Sequence, residues 1–125
     1  NHRIGLFDAI LIKENHVASC GSITAAIKKA QQNNQGCEIE IEVESLQELD
    51  EALNAGAKRI LLDNFAHDDL VKAVALNRQR AKLEVSGNIT LENINEVAKT
   101  GIDYISSGAI TKNILALDLS MRLLD

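Results

Sequence analysis

The chain has 125 residues, 46% of them hydrophobic, enough for one modest domain with a buried core. A net charge of −5 and an aromatic content of 2% supply neither a basic footprint nor a stacking platform, so no nucleic-acid partner is expected. No apolar run is long enough to span a membrane.

In chain order, residues 1–8 are polar and contain Gly5, and the sequence begins at Asn1 inside what reads as a motif, so a longer parent chain is expected. Residues 9–12 (Ala9, Ile10, Leu11, Ile12) read as a short buried strand ending at Lys13, and residues 14–16 as a polar loop. Ser22 is placed to cap a helix with Ile23, Ala26, Ile27 and Ala30 on one face, stopped by residues 33–36. Residues 38–44 alternate strictly: Ile39, Ile41 and Val43 face one way, Glu38, Glu40, Glu42 and Glu44 the other. Ser45 followed by Glu48 reads as a capping box opening a helix with Leu46, Leu49 and Leu53 inward, closed by Gly56. A strand over 59–62 then runs to Asp63 and Asn64, and a helix passes through Leu70, Val71 and Val74. A strand over 82–86 ends at Gly87; Thr90 is expected to cap a helix with Leu91, Ile94 and Val97 inward, closed by Gly101; and a strand over 103–106 reaches Ser107 and Gly108. Residues 116–123 alternate with Leu117, Leu119, Met121 and Leu123 on one face, the pattern of an antiparallel strand whose sheet lies elsewhere. Cys20 and Cys37 have no metal or redox spacing and read as reduced thiols of a cytosolic protein.

Residues 45–60 align with 90–105 without a gap, matching Leu46 to Leu91, Glu51 to Glu96, Gly56 to Gly101 and Ile60 to Ile105. The repeat and the strand spacing suit an α/β (β/α) barrel; an open doubly wound sheet gives a similar rhythm, but no Gly-x-Gly-x-x-Gly follows the first strand. In a barrel the alternate residues face the lumen, so Glu38, Glu40, Glu42, Lys82, Glu84 and Ser86 form an inner set. Buried carboxylates must be paired or bind a ligand, whereas a lone acidic strand face would simply be solvated.

Barrel enzymes place their chemistry at the carboxyl ends of the strands. Those ends carry Lys13, Glu42 with Glu44, Asp63 with Asn64, Ser86 with Gly87, and Ser107 with Gly108; His2 and Arg3 precede the first strand. His2, Arg3 and Lys13 can bind carboxylates or phosphates. Glu42 and Asp63 can hold a divalent ion or ribose hydroxyls, and the two glycine loops can approach a phosphate, the second before a possible helix turn at 111–113. Each has a plainer reading: Lys13 as a surface residue, Glu42 as an ion-pair partner of Lys13 or Lys82, Asp63 and Asn64 as a helix cap, the Ser-Gly pairs as turns, the histidines as loop residues. Their shared position lifts the functional reading above these.

The blocks Asn1, His2, Arg3, Gly5, Leu6, Asp8; Ile12, Lys13, Asn15, His16; Glu40, Glu42, Glu44; Leu62, Asp63, Asn64; Glu84, Ser86, Gly87; and Ser106, Gly108, Thr111, Ala116, Leu117, Asp118 together resemble quinolinate phosphoribosyltransferase. Asn88 stands where many members have a second glycine, and Lys112 where some have histidine. The resemblance implies phosphoribosyl transfer from 5-phosphoribosyl-1-pyrophosphate to quinolinate with decarboxylation, giving nicotinate mononucleotide, pyrophosphate and CO₂ in de novo NAD synthesis, with Mg²⁺ as cofactor. It implies that His2, Arg3 and Lys13 hold the quinolinate carboxylates, that Glu42 and Asp63 face the ribose and its Mg²⁺, and that Ser86, Gly87 and Gly108 take phosphate. It further implies a cytoplasmic homodimer or higher oligomer, with no membrane partner. Residues 1–113 would form the C-terminal part of the barrel domain. Residues 114–125 would return as a strand to a sandwich-like N-terminal domain absent here. Five strands are too few to close a barrel, so the 125 residues alone are expected to be inactive. Two other readings remain: a related phosphoribosyltransferase without decarboxylation, and a half-barrel that serves only folding or assembly.

Overall fold

The computed structural model describes residues 9–33 and 36–108. Strand β1 (Ala9–Ile12) is followed by α1 (Glu14–Cys20), α2 (Ile23–Asn33), β2 (Glu38–Val43), α3 (Leu46–Asn54), β3 (Arg59–Asp63), α4 (His67–Asn77), β4 (Lys82–Ser86), α5 (Ile94–Lys99) and β5 (Tyr104–Ile105). The five strands form one sheet in the order β1-β2-β3-β4-β5, every pair parallel. A doubly wound sheet reverses its strand order at a switch point. Here each strand lies beside its sequence neighbours, as in the wall of a (β/α) barrel.

The apolar half of each strand makes the core. Ile41, Val43, Ile60, Leu62, Leu83 and Val85 are buried on the helical side, against Ile27 of α2, Leu49 and Ala52 of α3, and Leu70 and Ala73 of α4. The caps are local. Ser22 Oγ accepts from the Ala25 N–H at 3.1 Å, and Ser45 Oγ from the Glu48 N–H at 3.2 Å. The Glu48 carboxylate reaches back to the Glu44 N–H at 2.7 Å, one residue before the usual target of a capping box. The buried Asn77 closes the turn from α4 to β4: its Nδ2 donates to the Ala81 carbonyl at 2.8 Å and its Oδ1 accepts from the Ala81 N–H at 3.0 Å.

Two expectations are corrected. Residues 14–16 open helix α1 rather than a loop. No Ser, Thr, Asp or Asn precedes it; instead the His16 ring turns back, and its Nδ1 accepts from the Lys13 N–H at 3.1 Å. Leu91 is 88% exposed rather than inward, because Thr90 and Asn93 hydrogen-bond each other in a turn and α5 begins only at Ile94. The helix expected through Leu70, Val71 and Val74 is α4, which buries Leu70 and Ala73 and leaves Val71 49% exposed. The alternating strand at 116–123 and the turn at 111–113 lie outside the described residues, as do His2 and Arg3. Among the described residues no helix is long and apolar enough to cross a membrane.

Candidate active site at the carboxyl ends of the strands

Register turns the alternating residues into rows across the polar face. Leu11, Glu40, Arg59 and Lys82 form one row, Glu42, Leu61, Glu84 and Tyr104 the next, and Asp63 and Ser86 a third. The acidic residues expected inside are therefore there, but the counter-charge of Glu38, Glu40 and Glu84 is Arg59, not Lys82. Arg59 Nε donates to Glu40 at 3.0 Å, one terminal nitrogen to Glu84 at 2.8 Å and the other to Glu38 at 3.5 Å, and the guanidinium lies 4.8 Å from the Tyr104 ring centre. Lys82 begins its strand at the open amino end and leaves the lumen to pair with Asp103 at 2.6 Å. Arg59 has the parity of Asp63, four residues on, which is the signal that places it inside.

The charges within this layer are unequal. Burial pushes the Glu40 carboxyl up, the bond from Arg59 offsets only part of this, and the nearby Glu84 charge adds to it. Burial acts on Glu84 too, but the Ser106 hydroxyl and Arg59 outweigh it and hold Glu84 below the usual carboxylate range. Glu84 bonding and burial work in opposite directions on the Arg59 guanidinium, with the bonds winning and raising it further. Arg59, Glu40, Glu84 and Ser106 line a cavity of about 190 Å³ beneath the mouth.

Above it, at the mouth, Lys13, Glu42, Glu44, Asp63 and Ser86 converge. Lys13 Nζ lies 3.7 Å from Glu42, with the lysine side chain 53% exposed. Glu42, Glu44 and Asp63 can each present a ligand atom within 4.8 Å of the others. Burial raises the Glu42 carboxyl; Lys13 lowers it, and the charges of Asp63, Glu14 and Glu44 raise it again, so the sum is upward. Burial, with the neighbouring carboxylates adding to it, thus outweighs the single nearby cation. Three hard oxygen donors at this spacing could hold a divalent cation. Ser86 Oγ donates to Asp63 at 2.8 Å. Gly87 has φ +81°, and a Cβ there would lie 2.2 Å from Asn64 Oδ1. Ser107 Oγ donates to the Ile89 carbonyl at 2.9 Å, and Gly108 follows it, three residues past the end of β5.

His16 is a further residue of the site that the sequence reading left among ordinary loop histidines. It holds the Lys13 N–H, while the Lys13 carbonyl accepts from the N–H groups of His16 at 2.9 Å and Val17 at 3.1 Å. The lysine thus extends from a main chain fixed on both sides. Three residues after the N-cap Lys13, His16 holds the N3 position of a capping box, a signal legible only once a helix is placed there.

A parallel barrel wall that gathers its cation, carboxylates and glycine loops at the carboxyl mouth has the layout of a (β/α)-barrel enzyme. The family model described as quinolinate phosphoribosyl transferase, C-terminal domain, matches residues 1–122, and the chain belongs to that family. A Bacillus subtilis (strain 168) relative named probable nicotinate-nucleotide pyrophosphorylase (carboxylating) is 45% identical over 122 residues; the match covers 97% of this chain and 42% of the relative. The structure of the nicotinate-nucleotide pyrophosphorylase from Francisella tularensis is 52% identical with a TM-score of 0.86, covering 96% of this chain and 43% of that one. KGPDC from Streptococcus mutans, 18% identical with a TM-score of 0.56, shares the fold alone. The chain thus spans less than half the length of these curated relatives and solved structures of its family.

Proposed function

We propose that the protein carrying this chain transfers the phosphoribosyl group of 5-phosphoribosyl-1-pyrophosphate to quinolinate and decarboxylates the product to nicotinate mononucleotide, in NAD biosynthesis. The observation that carries the reading is the convergence of Lys13, Glu42, Asp63 and Ser86 at one mouth of the sheet. Membership of the family and the names of its relatives support it.

The bond from ribose C1 to the pyrophosphate oxygen breaks, and the quinolinate ring nitrogen bonds to C1. The ribose ring gains positive charge on the way. Glu42 and Asp63, preset beside it, favour that state over the neutral ground state. The Lys13–Glu42 contact is long and half open, so a substrate carboxylate can replace Glu42 as the ammonium's partner. His2 and Arg3 join Lys13 in this reading through the resemblance, as Ser86, Gly87 and Gly108 do for phosphate. Mg²⁺, held by Glu42 and Asp63 with Glu44 at hand, would supply positive charge for the departing pyrophosphate. After transfer the ring nitrogen is cationic, so the electron pair released as CO₂ leaves C2 is stabilised there until C2 takes a proton. The homodimer and the cytoplasmic location belong to the same proposal.

The test is ligand titration and turnover in the full-length protein. Lys13→Ala is expected to weaken quinolinate binding about 10- to 100-fold, the equivalent of losing one charge-assisted bond, and to spare the pyrophosphate substrate. Glu42→Gln should still bind both substrates, with turnover falling most. Equal weakening of both ligands by Lys13→Ala would refute the assignment.

A further inference from the structure

The Asp63 carboxylate is gripped at both oxygens. Oδ1 accepts from Ser86 Oγ at 2.8 Å, and Oδ2 accepts from Asn64 Nδ2 at 3.0 Å. Asn64 is held in turn. Its N–H donates to the Ser86 carbonyl at 3.0 Å, and its Oδ1 accepts from Asn88 Nδ2 at 3.2 Å. Both asparagines adopt the left-handed backbone conformation, with φ +55° at Asn64 and +54° at Asn88. Between them in space, Gly87 comes so near that an added Cβ would meet Asn64 Oδ1, Cγ and N at 2.2, 2.7 and 3.0 Å.

A turn alone requires none of this. Glycine at 64 or 88 would make the same left-handed turns with less strain. The asparagine side chains instead form a relay from the end of β4 to the end of β3, terminating on the carboxylate. We propose that Asn64 is a positioning residue for Asp63: the relay Asn88–Asn64–Asp63, with Ser86 on the other oxygen, sets the direction in which Asp63 faces Glu42 and Glu44. The inference rests on the proposed function only in assigning Asp63 to the side of ribose and Mg²⁺. It accounts for Gly87 without a ligand, since the glycine is the one residue that lets Asn64 lie across it. It also gives Asn88, which departs from the glycine pattern of many family members, a task.

The test uses full-length protein with Asn64→Gly and Asn88→Gly, read by thermal melting, Mg²⁺ titration calorimetry and steady-state kinetics. Both substitutions relieve left-handed strain, so the melting temperature should hold or rise. Asn64→Gly is expected to weaken Mg²⁺ binding about tenfold and to lower kcat by a similar factor, with the KM for quinolinate within twofold. Asn88→Gly should act in the same direction by about threefold. Unchanged Mg²⁺ affinity and kcat in Asn64→Gly would overturn the proposal, and so would a lower melting temperature with Mg²⁺ affinity intact, which is the outcome for a residue that only shapes the turn. If the wild-type protein makes no nicotinate mononucleotide while Asn64→Gly still weakens Mg²⁺ binding, the relay stands and the proposed function falls.

Discussion

Glu40 and Glu84 lie on either side of Arg59, one strand away in each direction, and share its guanidinium, yet their surroundings push them apart. Glu84 is held low by Ser106 and Arg59 against its burial, so its ionised form stabilises the fold above the unfolded pKa; that contribution is lost as pH falls through its folded value. Glu40 is held high, chiefly by burial, so its ionised form costs stability above its folded value, and the cost disappears as pH falls through it. Two similar substitutions should therefore differ in sign. Glu84→Gln is expected to destabilise by about 1.5–3 kcal/mol at neutral pH, the scale of a charged hydrogen bond. Glu40→Gln should raise the melting temperature there, by an amount that shrinks as the buffer is acidified through the folded pKa of Glu40. Parallel melts of both variants across pH decide it, and a loss from both at neutral pH would refute the asymmetry. The carboxylate layer itself was legible from alternation, because parity assigns every second residue to one face. The identity of its cation was not: Lys82 shares that parity, but as the first residue of its strand it has solvent within reach of a long side chain. The left-handed asparagines were illegible for a different reason, since a φ value depends on what the next strand end presents.

At the level of elements, the internal repeat from 45–60 to 90–105 predicts two equivalent strand–helix junctions, and the structure makes only the first a capped helix start. Ser45 Oγ accepts from the Glu48 N–H at 3.2 Å, at the N3 position of α3. The corresponding contact to Thr90 is longer, 3.4 Å from the Asn93 N–H, and it closes a turn that precedes α5. Ser45→Ala should therefore cost about 1 kcal/mol in denaturant melts, and Thr90→Ala clearly less; equal costs would mean that the two junctions are energetically equivalent after all. The same turn leaves Leu91 in solvent, although sequence alignment pairs it with the half-buried Leu46. Matching residues predicted matching strands and closing glycines, but not the helix start, where a side chain three residues on competes for the backbone. Helix α1 was missed for a related reason: a histidine fills a role for which Ser, Thr, Glu or Gln are the usual signals.

Over the whole molecule, strand order is the property that alternation could not decide, since a barrel wall and a doubly wound sheet share the same rhythm of strands and helices. The missing glycine fingerprint and the repeat favoured the barrel, and the sequential parallel order confirms it for the described residues. That order has a consequence for how the molecule opens. Among the described residues each strand pairs with its chain neighbours, so protection against solvent should be graded along the sequence rather than shared by all strands. β3 has strands on both sides and seals Ile60 and Leu62 completely, whereas β1 and β5 have one neighbour each among the described residues. In amide hydrogen exchange on the 125-residue chain, deuterium should enter first at β1 and β5, then β2 and β4, and last at β3. A single exchange rate common to all five strands would show instead that the sheet opens in one step, with no memory of which unit stands next to which.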